Sequence, residues 1–408
     1  MSSAATEVSP PIPLMNLLPG VVLVSGTAIG AGMLSMPIVS SGTWFYWSLL
    51  AMLICCFGML QCSLLILKMG ENYRPGASFD TYVKDGLGPW WNRLSNFLIA
   101  FIFYILLYAY ISGGASILEA SLKQHFSLGI STLWASIIFA IALSSIVWVS
   151  GLFTSRALTI LMVSMGMAFA LSMSGLLSDI KMEYLQPSSD NAYLYFIPVL
   201  PYFLTSFGFH CSVPSLVKIY EGERETVRKA LYLGAALIFA LYLLWLVAVF
   251  GNVEQLRFLN FLDQGGNVGT LPELIVGSEQ GVKQLALSVF TSFALVTSFL
   301  GVGLGLFDFF ADRFQFQDNP KGRTKTVLVT FLPPAVGATL LPNGFVYAIG
   351  YAGMALALSA LCIPAIWILK NVREKKYRVS ASLVLLIGIS IFFIELGNIL
   401  KVLPAVGS

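Results

Sequence analysis

Gly26-Thr27-Ala28-Ile29-Gly30-Ala31-Gly32-Met33-Leu34-Ser35-Met36-Pro37 lies in the middle of a long apolar segment and is poorly made for an unbroken helix. An interior glycine costs about 1 kcal/mol against alanine, and a proline about 3 kcal/mol. In hydrocarbon, irregular backbone persists only where its freed polar groups are buried in protein or line a cavity. The stretch therefore predicts a helix break enclosed by other helices, and one half of a substrate site. Gly26 and Gly30 also fit the small-xxx-small spacing of close helix packing, which by itself would explain those glycines.

The surroundings are those of a polytopic membrane protein. The chain has 408 residues, 57% hydrophobic and 11% charged, against roughly 25% charged in soluble domains. Its apolar runs predict eleven spans at about 17–40, 44–67, 93–120, 131–150, 157–178, 193–217, 229–251, 284–312, 326–342, 344–370 and 380–400. Residues 1–16 hold Glu7 and no Lys or Arg, so they lack the basic start of a signal peptide and read as a cytoplasmic tail. With the N-terminus inside, the inner loops carry 18 of the 23 Lys and Arg. The positive-inside rule then sets the orientation and leaves the C-terminus outside. Trp44, Tyr46, Trp47, Trp90 and Trp91 read as interfacial anchors. Cys55, Cys56, Cys62, Cys211 and Cys362 read as small core residues, since their spacing suits neither zinc nor a disulfide framework.

Spans one to five (17–178) and six to ten (193–370) divide the chain into two halves, with span eleven (380–400) left over. Five spans per half is odd, so the halves run in opposite directions, as in an inverted repeat. Span six has its own break. In Thr205-Ser206-Phe207-Gly208-Phe209-His210-Cys211-Ser212-Val213-Pro214, small and polar residues again precede a proline. Two interrupted spans in corresponding places point to a transporter binding site. Broken half-helices offer N–H groups to a carboxylate and carbonyls to a cation or ammonium.

Several side chains could serve that site. His210 sits beside the second break and could bind substrate, carry a proton, or simply pack against a neighbouring helix. Tyr104 and Tyr108 in span three, and Tyr347 and Tyr351 in span ten, are i,i+4 pairs that could wall an aromatic ligand or belong to the core. In span eight, Ser292, Phe293, Thr297 and Ser298 could face the first break, or the hydroxyls could bond their own backbone. Asp308 and Asp312 lie near the inner end of that span, where pairing with Arg313 or the basic loops is expected. Glu395 lies toward the outer end of span eleven, beyond the repeat, and is not assigned to the site. No phosphate loop, zinc-protease or serine-nucleophile motif occurs, so neither an enzyme nor a bound cofactor is expected.

Four separated motifs, in order, carry a resemblance. They are Thr27-Ala28-Ile29-Gly30-Ala31-Gly32-Met33; Thr205 to His210 with Val213-Pro214-Ser215; Ser298-Phe299-Leu300-Gly301 with Gly305-Leu306-Phe307-Asp308; and Pro342-Asn343-Gly344-Phe345 with Ala348-Ile349-Gly350-Tyr351-Ala352-Gly353. The chain resembles the bacterial hydroxy and aromatic amino acid permeases from about residue 17 to 370. Ser41 to Ser48, Asn72-Tyr73-Arg74, Ser78 to Thr81 and Tyr108 to Ser112 look more like the tryptophan permeases, whereas the span-six motif looks like the tyrosine permease.

The resemblance implies an all-α LeuT-type fold (the APC superfamily) of 5+5 inverted repeats plus one helix. It also implies proton symport of an aromatic amino acid, tryptophan first, across the bacterial inner membrane by alternating access. By analogy Thr27, Ala28, Ile29, Gly30, Ala31 and Gly32, with Ser206, Phe207, Gly208, Phe209 and His210, hold the substrate's charged ends. Helices three, six, eight and ten shape the side-chain pocket. One departure concerns coupling. Where related proton-coupled transporters carry a lysine in helix five, this chain has Met165. That leaves His210 and Asp308 as proton candidates, or a sodium site at Thr297 and Ser298. The partners expected are the amino acid and the lipid bilayer, not nucleic acid, with the oligomeric state open. A membrane sensor and a channel are the readings from other classes, disfavoured by short basic loops and by the lack of charged pore rings.

Overall fold

The computed structural model describes residues 14–277 and 281–404, apart from the side chains of residues 14, 15 and 125. The cytoplasmic tail expected at 1–16 lies almost wholly outside them. The described residues form helices and turns without a strand. The first expected span is two helices, α1 (Leu14–Ala28) and α2 (Ala31–Val39), bent by 51° at the quoted glycines. Then follow α3 (Trp44–Met69), a short α4 (Phe79–Leu87), α5 (Pro89–Phe126), α6 (Thr132–Val149) and α7 (Gly151–Leu177). The second half opens on another divided span, α8 (Leu200–Ser206) and α9 (Val213–Ile219). It continues with α10 (Arg224–Phe250), short α11 (Gln255–Asp263) and α12 (Leu271–Val276), α13 (Val282–Arg313) and α14 (Pro320–Leu340). Span ten is α15 (Phe345–Leu356) and α16 (Ile363–Asn371) joined through a π-helical turn, Ala357–Cys362, and α17 (Lys375–Ile399) closes the chain.

Among the described residues, eight helices are long and apolar enough to cross a membrane, nine with the bent α1–α2 pair. The remaining two expected spans, at α8–α9 and α14, are helical but do not meet that measure of length and apolarity. α13 packs along α5 and α7, α1 along α10, and α15 along α5 and α8.

Prolines inside these helices explain much of the interhelical bonding. A proline cannot donate to the carbonyl four residues earlier, and a buried carbonyl without a donor costs about 1–3 kcal/mol. Three such carbonyls are met by side chains from other helices. Pro37 frees the Met33 carbonyl, which accepts from the Trp245 indole of α10 at 2.9 Å. Pro333 frees that of Val329, which accepts from the Tyr104 hydroxyl of α5 at 2.7 Å. Pro364 frees that of Ala360 beside the π-helical turn, and the Cys62 thiol of α3 donates to it. Helix ends are treated alike. Arg224 caps the last carbonyls of α3, at Leu67 (2.8 Å) and Gly70 (3.0 Å), and Arg323 caps those of α6, at Val147 (2.8 Å) and Trp148 (2.6 Å).

Two expectations are corrected here. Trp44 is no interfacial anchor: it is fully buried, stacked on Phe250 at 4.1 Å, with its indole N–H on the Tyr184 carbonyl at 2.6 Å. Trp90 and Tyr46 are exposed, as anchors require. Of the five free cysteines, Cys55, Cys62 and Cys362 are buried, but Cys211 is exposed because it rides on the turn that interrupts span six.

Trp245→Phe keeps the ring and removes the donor to Met33. It should destabilise the protein by about 1–3 kcal/mol, read as a lowered midpoint of thermal unfolding in detergent, whereas Trp90→Phe should not. Equal midpoints for the two variants would contradict this role for Trp245.

Candidate functional site

The two breaks touch. α1 ends at Ala28 and α2 starts at Ala31, with Gly30 extended between them. The Ala31 N–H, an orphan donor of the new helix, donates to Ser298 Oγ of α13 at 2.9 Å. A Cβ at Gly30 would collide with that hydroxyl, so glycine is what lets α13 come this close. In the second half α8 ends at Ser206, and one 3-10 turn, Phe209–Ser212, leads into α9. Ser206 Oγ donates to the Gly32 carbonyl at 3.0 Å. A Cβ on Gly32 would lie 3.1 Å from Ser206 Cα, so the two interrupted helices meet backbone to backbone.

Tyr242 of α10 ties both breaks together. Its buried hydroxyl lies 2.6 Å from the Ala28 carbonyl and 2.7 Å from that of Ser206. These carbonyls belong to the C-terminal ends of α1 and α8, where the helix dipoles are negative. One phenolic proton can serve only one of them at a time, so the junction keeps spare acceptor capacity. Phe207 packs edge-on against the Tyr242 ring, with centroids 5.1 Å apart. The junction thus presents a helix N-terminus at Ala31 and Gly32, suited to an anion, and two helix-end carbonyls, suited to a cation.

The other named residues divide into those at this junction and those away from it. Ala28, Ala31, Phe207 and Phe209 are buried there and Ile29 is half-buried. Gly208 has space around it, since an added Cβ would meet only the Thr205 carbonyl, at 3.4 Å. His210 lies in the 3-10 turn, and its Nδ1 is buried without a hydrogen-bond partner among the described residues. Thr297 is buried with its hydroxyl on the Phe293 carbonyl (2.7 Å) and 3.8 Å from Met165 Sδ, so a thioether lies beside the first break.

Thr27 is exposed, its hydroxyl bonded back to Val24 at 2.7 Å. Tyr104 serves the proline-freed Val329 carbonyl, and Tyr108 donates to Leu341 at the end of α14 (2.9 Å). Both therefore face α14, because that helix has carbonyls to satisfy. Ser292 bonds back to Ser288 (2.7 Å), and Phe293 is half-buried one residue along. Tyr347 is exposed, while Tyr351 is half-buried near Tyr202 and Glu395. Asp308 is exposed and lies about 15 Å along α13 from Ser298. The ion pair expected for it and Asp312 is absent among the described residues, where Arg323 pairs with Asp318 instead (2.7 Å).

The sequence reading passed over Tyr242 and Trp245, which sit in a helix apolar on every face and so give no periodic signal. Tyr110, within the Tyr108 to Ser112 motif, is buried near Tyr242.

The profile of the tryptophan/tyrosine permease family matches residues 15–400. The chain belongs to that family. It is a family of permeases, not of enzymes, and membership makes the chain a multi-pass membrane protein, as its motifs implied. A tryptophan-specific transport protein of Shigella flexneri is 43% identical over 365 residues, covering 88% of this chain and 87% of the relative. A low affinity tryptophan permease of Escherichia coli K12 is 34% identical over 404 residues, covering 95% and 97%. A tyrosine permease of Enterobacter agglomerans is 36% identical over 368 residues, covering 88% of each. Among solved structures, MhsT in complex with L-phenylalanine superposes with a TM-score of 0.61 at 14% identity, covering 93% of this chain and 98% of that one. At that identity the likeness bears on the fold alone, which is the LeuT type.

Tyr242→Phe removes the hydroxyl shared by the two breaks and should weaken substrate binding roughly tenfold; unchanged affinity would contradict the bridging role. Gly208→Ala should unfold like the parent, since the protein leaves space for a methyl group, yet bind substrate more weakly. Parental affinity in that variant would mean that no ligand lies against Gly208.

Proposed function

We propose that this permease imports an aromatic amino acid, tryptophan before tyrosine, by proton symport with alternating access across the bacterial inner membrane. The observation that carries this reading is the direct contact of the two breaks, which brings one helix N-terminus and two helix C-terminal carbonyls to one place inside the bilayer. A zwitterion needs such a pair of ends: its carboxylate toward Gly32 at the start of α2, beside the Ala31–Ser298 bond, and its ammonium toward the carbonyls of Ala28 and Ser206. Phe207, Phe209 and His210 flank the second break, and in this reading they meet the side chain of the amino acid. The preference for tryptophan draws on the names of the Shigella and Escherichia relatives, with tyrosine as the alternative that the Enterobacter relative supports. The orientation draws on the distribution of Lys and Arg, which puts the N-terminus in the cytoplasm and the C-terminus in the periplasm.

Sodium coupling through Thr297 and Ser298 fits the local chemistry less well. Thr297 already donates to its own helix, Ser298 accepts from Ala31, and the neighbouring group is the Met165 thioether, a soft donor.

Purified protein in sodium-free proteoliposomes should accumulate radiolabelled tryptophan above equilibrium when the outside is made acidic. Unlabelled tryptophan should compete best, tyrosine and phenylalanine less, and serine not at all. Equilibration without accumulation would refute proton coupling, and binding without any flux would favour a sensor.

A further inference from the structure

Glu395 of α17 is 1% exposed, within a helix long and apolar enough to cross a membrane. Ionisable side chains buried within membrane-spanning helices are costly and mark ion or proton pathways. Among the described residues it forms no ion pair, and its one hydrogen bond comes from Asn398 Nδ2, to Oε2, at 2.8 Å.

Its surroundings connect it to the broken helix. A Cβ on Gly350 of α15 would collide with Glu395 Oε1 and would lie 2.9 Å from the Tyr202 ring of α8. The carboxyl therefore sits where α17, α15 and the outer half of span six converge. The titratable groups facing it are Tyr202 from α8 and Tyr351 from α15, with Tyr347 one turn away. α3, which also packs on α17, brings the thiols of Cys55, Cys56 and Cys62 and, at its far end, Lys68. The π-helical turn brings Cys362, which packs at Gly388. On its own helix the basic residues Arg378, Lys376 and Lys375 begin about 25 Å away, and Lys401 is exposed beyond the helix end.

Asn398 gives this carboxyl a mechanical output. The same Nδ2 that donates to Glu395 also donates to the Pro198 carbonyl at 2.9 Å, just ahead of α8. Its Oδ1 is buried and has no donor among the described residues. While Glu395 is a carboxylate, the amide must present its N–H groups to it, and Pro198 is held. Once Glu395 is protonated it has a proton to donate, and the idle Oδ1 can accept it if the amide turns over. The turned amide then presents oxygen to the Pro198 carbonyl, two acceptors repel, and the entry to α8 is released.

We propose that Glu395 takes up and gives up the coupled proton, and that Asn398 transmits its state to the outer half of span six. The proton joins a carboxylate oxygen from the acidic outside and leaves it to the inside, with no other bond made or broken. This inference rests on the proton coupling proposed above and names the residue that performs it, leaving His210 to the substrate.

The test uses wild-type protein, Glu395→Gln and Glu395→Asp in proteoliposomes, with tryptophan affinity measured from pH 5 to 8. Glu395→Gln mimics the protonated acid. It should bind and exchange tryptophan across the membrane, lose accumulation driven by an acid exterior, and bind with a pH-independent affinity. Acid-driven accumulation by this variant, or a wild-type pH profile, would overturn the assignment. Should it fail to bind, Glu395→Asp is read in its place: a displaced pH profile is expected, and a wild-type profile would overturn the proposal. If wild-type protein itself ignores the gradient, it is the proton coupling that fails, an outcome separate from a wild type that responds and a Gln variant that responds equally.

Discussion

A backbone polar group released inside a bilayer has no water to turn to, and this protein releases many. Prolines at positions 37, 333 and 364 each strip a carbonyl of its helical donor, and two helices stop and restart in the middle of the protein. Each of these three carbonyls has a side-chain donor from another helix: Trp245, Tyr104 and Cys62. At the breaks Ser206 and Tyr242 likewise donate to backbone carbonyls, and Ser298 accepts from the freed Ala31 N–H. The interhelical contacts that hold the fold are therefore largely the contacts that make its irregularities tolerable. Since apolar packing gains little over lipid contact in a membrane, such directional bonds also fix which helix faces which.

This view separates what could be read from the chain from what could not. The break at Gly26–Pro37 and its counterpart around Gly208 were legible, because glycine and proline act through local backbone chemistry. The inverted relation of the halves followed from counting spans. The facing of individual residues did not follow. Tyr104 and Tyr108 share a helix face, but nothing in span three says whether that face meets a ligand or a helix with freed carbonyls; Pro333 was the only hint. Trp44 sits among aromatics typical of an interface yet is fully buried. Tyr242 and Trp245 were invisible because α10 is apolar all round, and amphipathic patterning has no contrast to work with there.

Position along the chain is a weak guide to neighbours in space. Glu395 was set aside because it falls outside the two repeats and near the end of its span. In three dimensions α17 lies against α15 and α8, so a residue beyond the repeat reaches the interrupted span of the second half. The substrate junction and the Glu395 cluster lie toward opposite ends of α8, Ser206 at one and Pro198 ahead of the other. A tilt of this short segment would be felt at both places, which is the physical link that the proposed coupling needs.

The claim on which the rest depends is that the paired breaks hold the amino acid by its charged ends. A cryo-electron microscopy map of the protein saturated with tryptophan tests it most directly. The account predicts ligand density between Gly30–Gly32 and Ser206–Gly208, with the carboxylate at the start of α2 and the ammonium sharing the Ala28 and Ser206 carbonyls with the Tyr242 hydroxyl. Ligand density elsewhere, with the contacts of Tyr242 and Ser206 unchanged from the ligand-free protein, would contradict it.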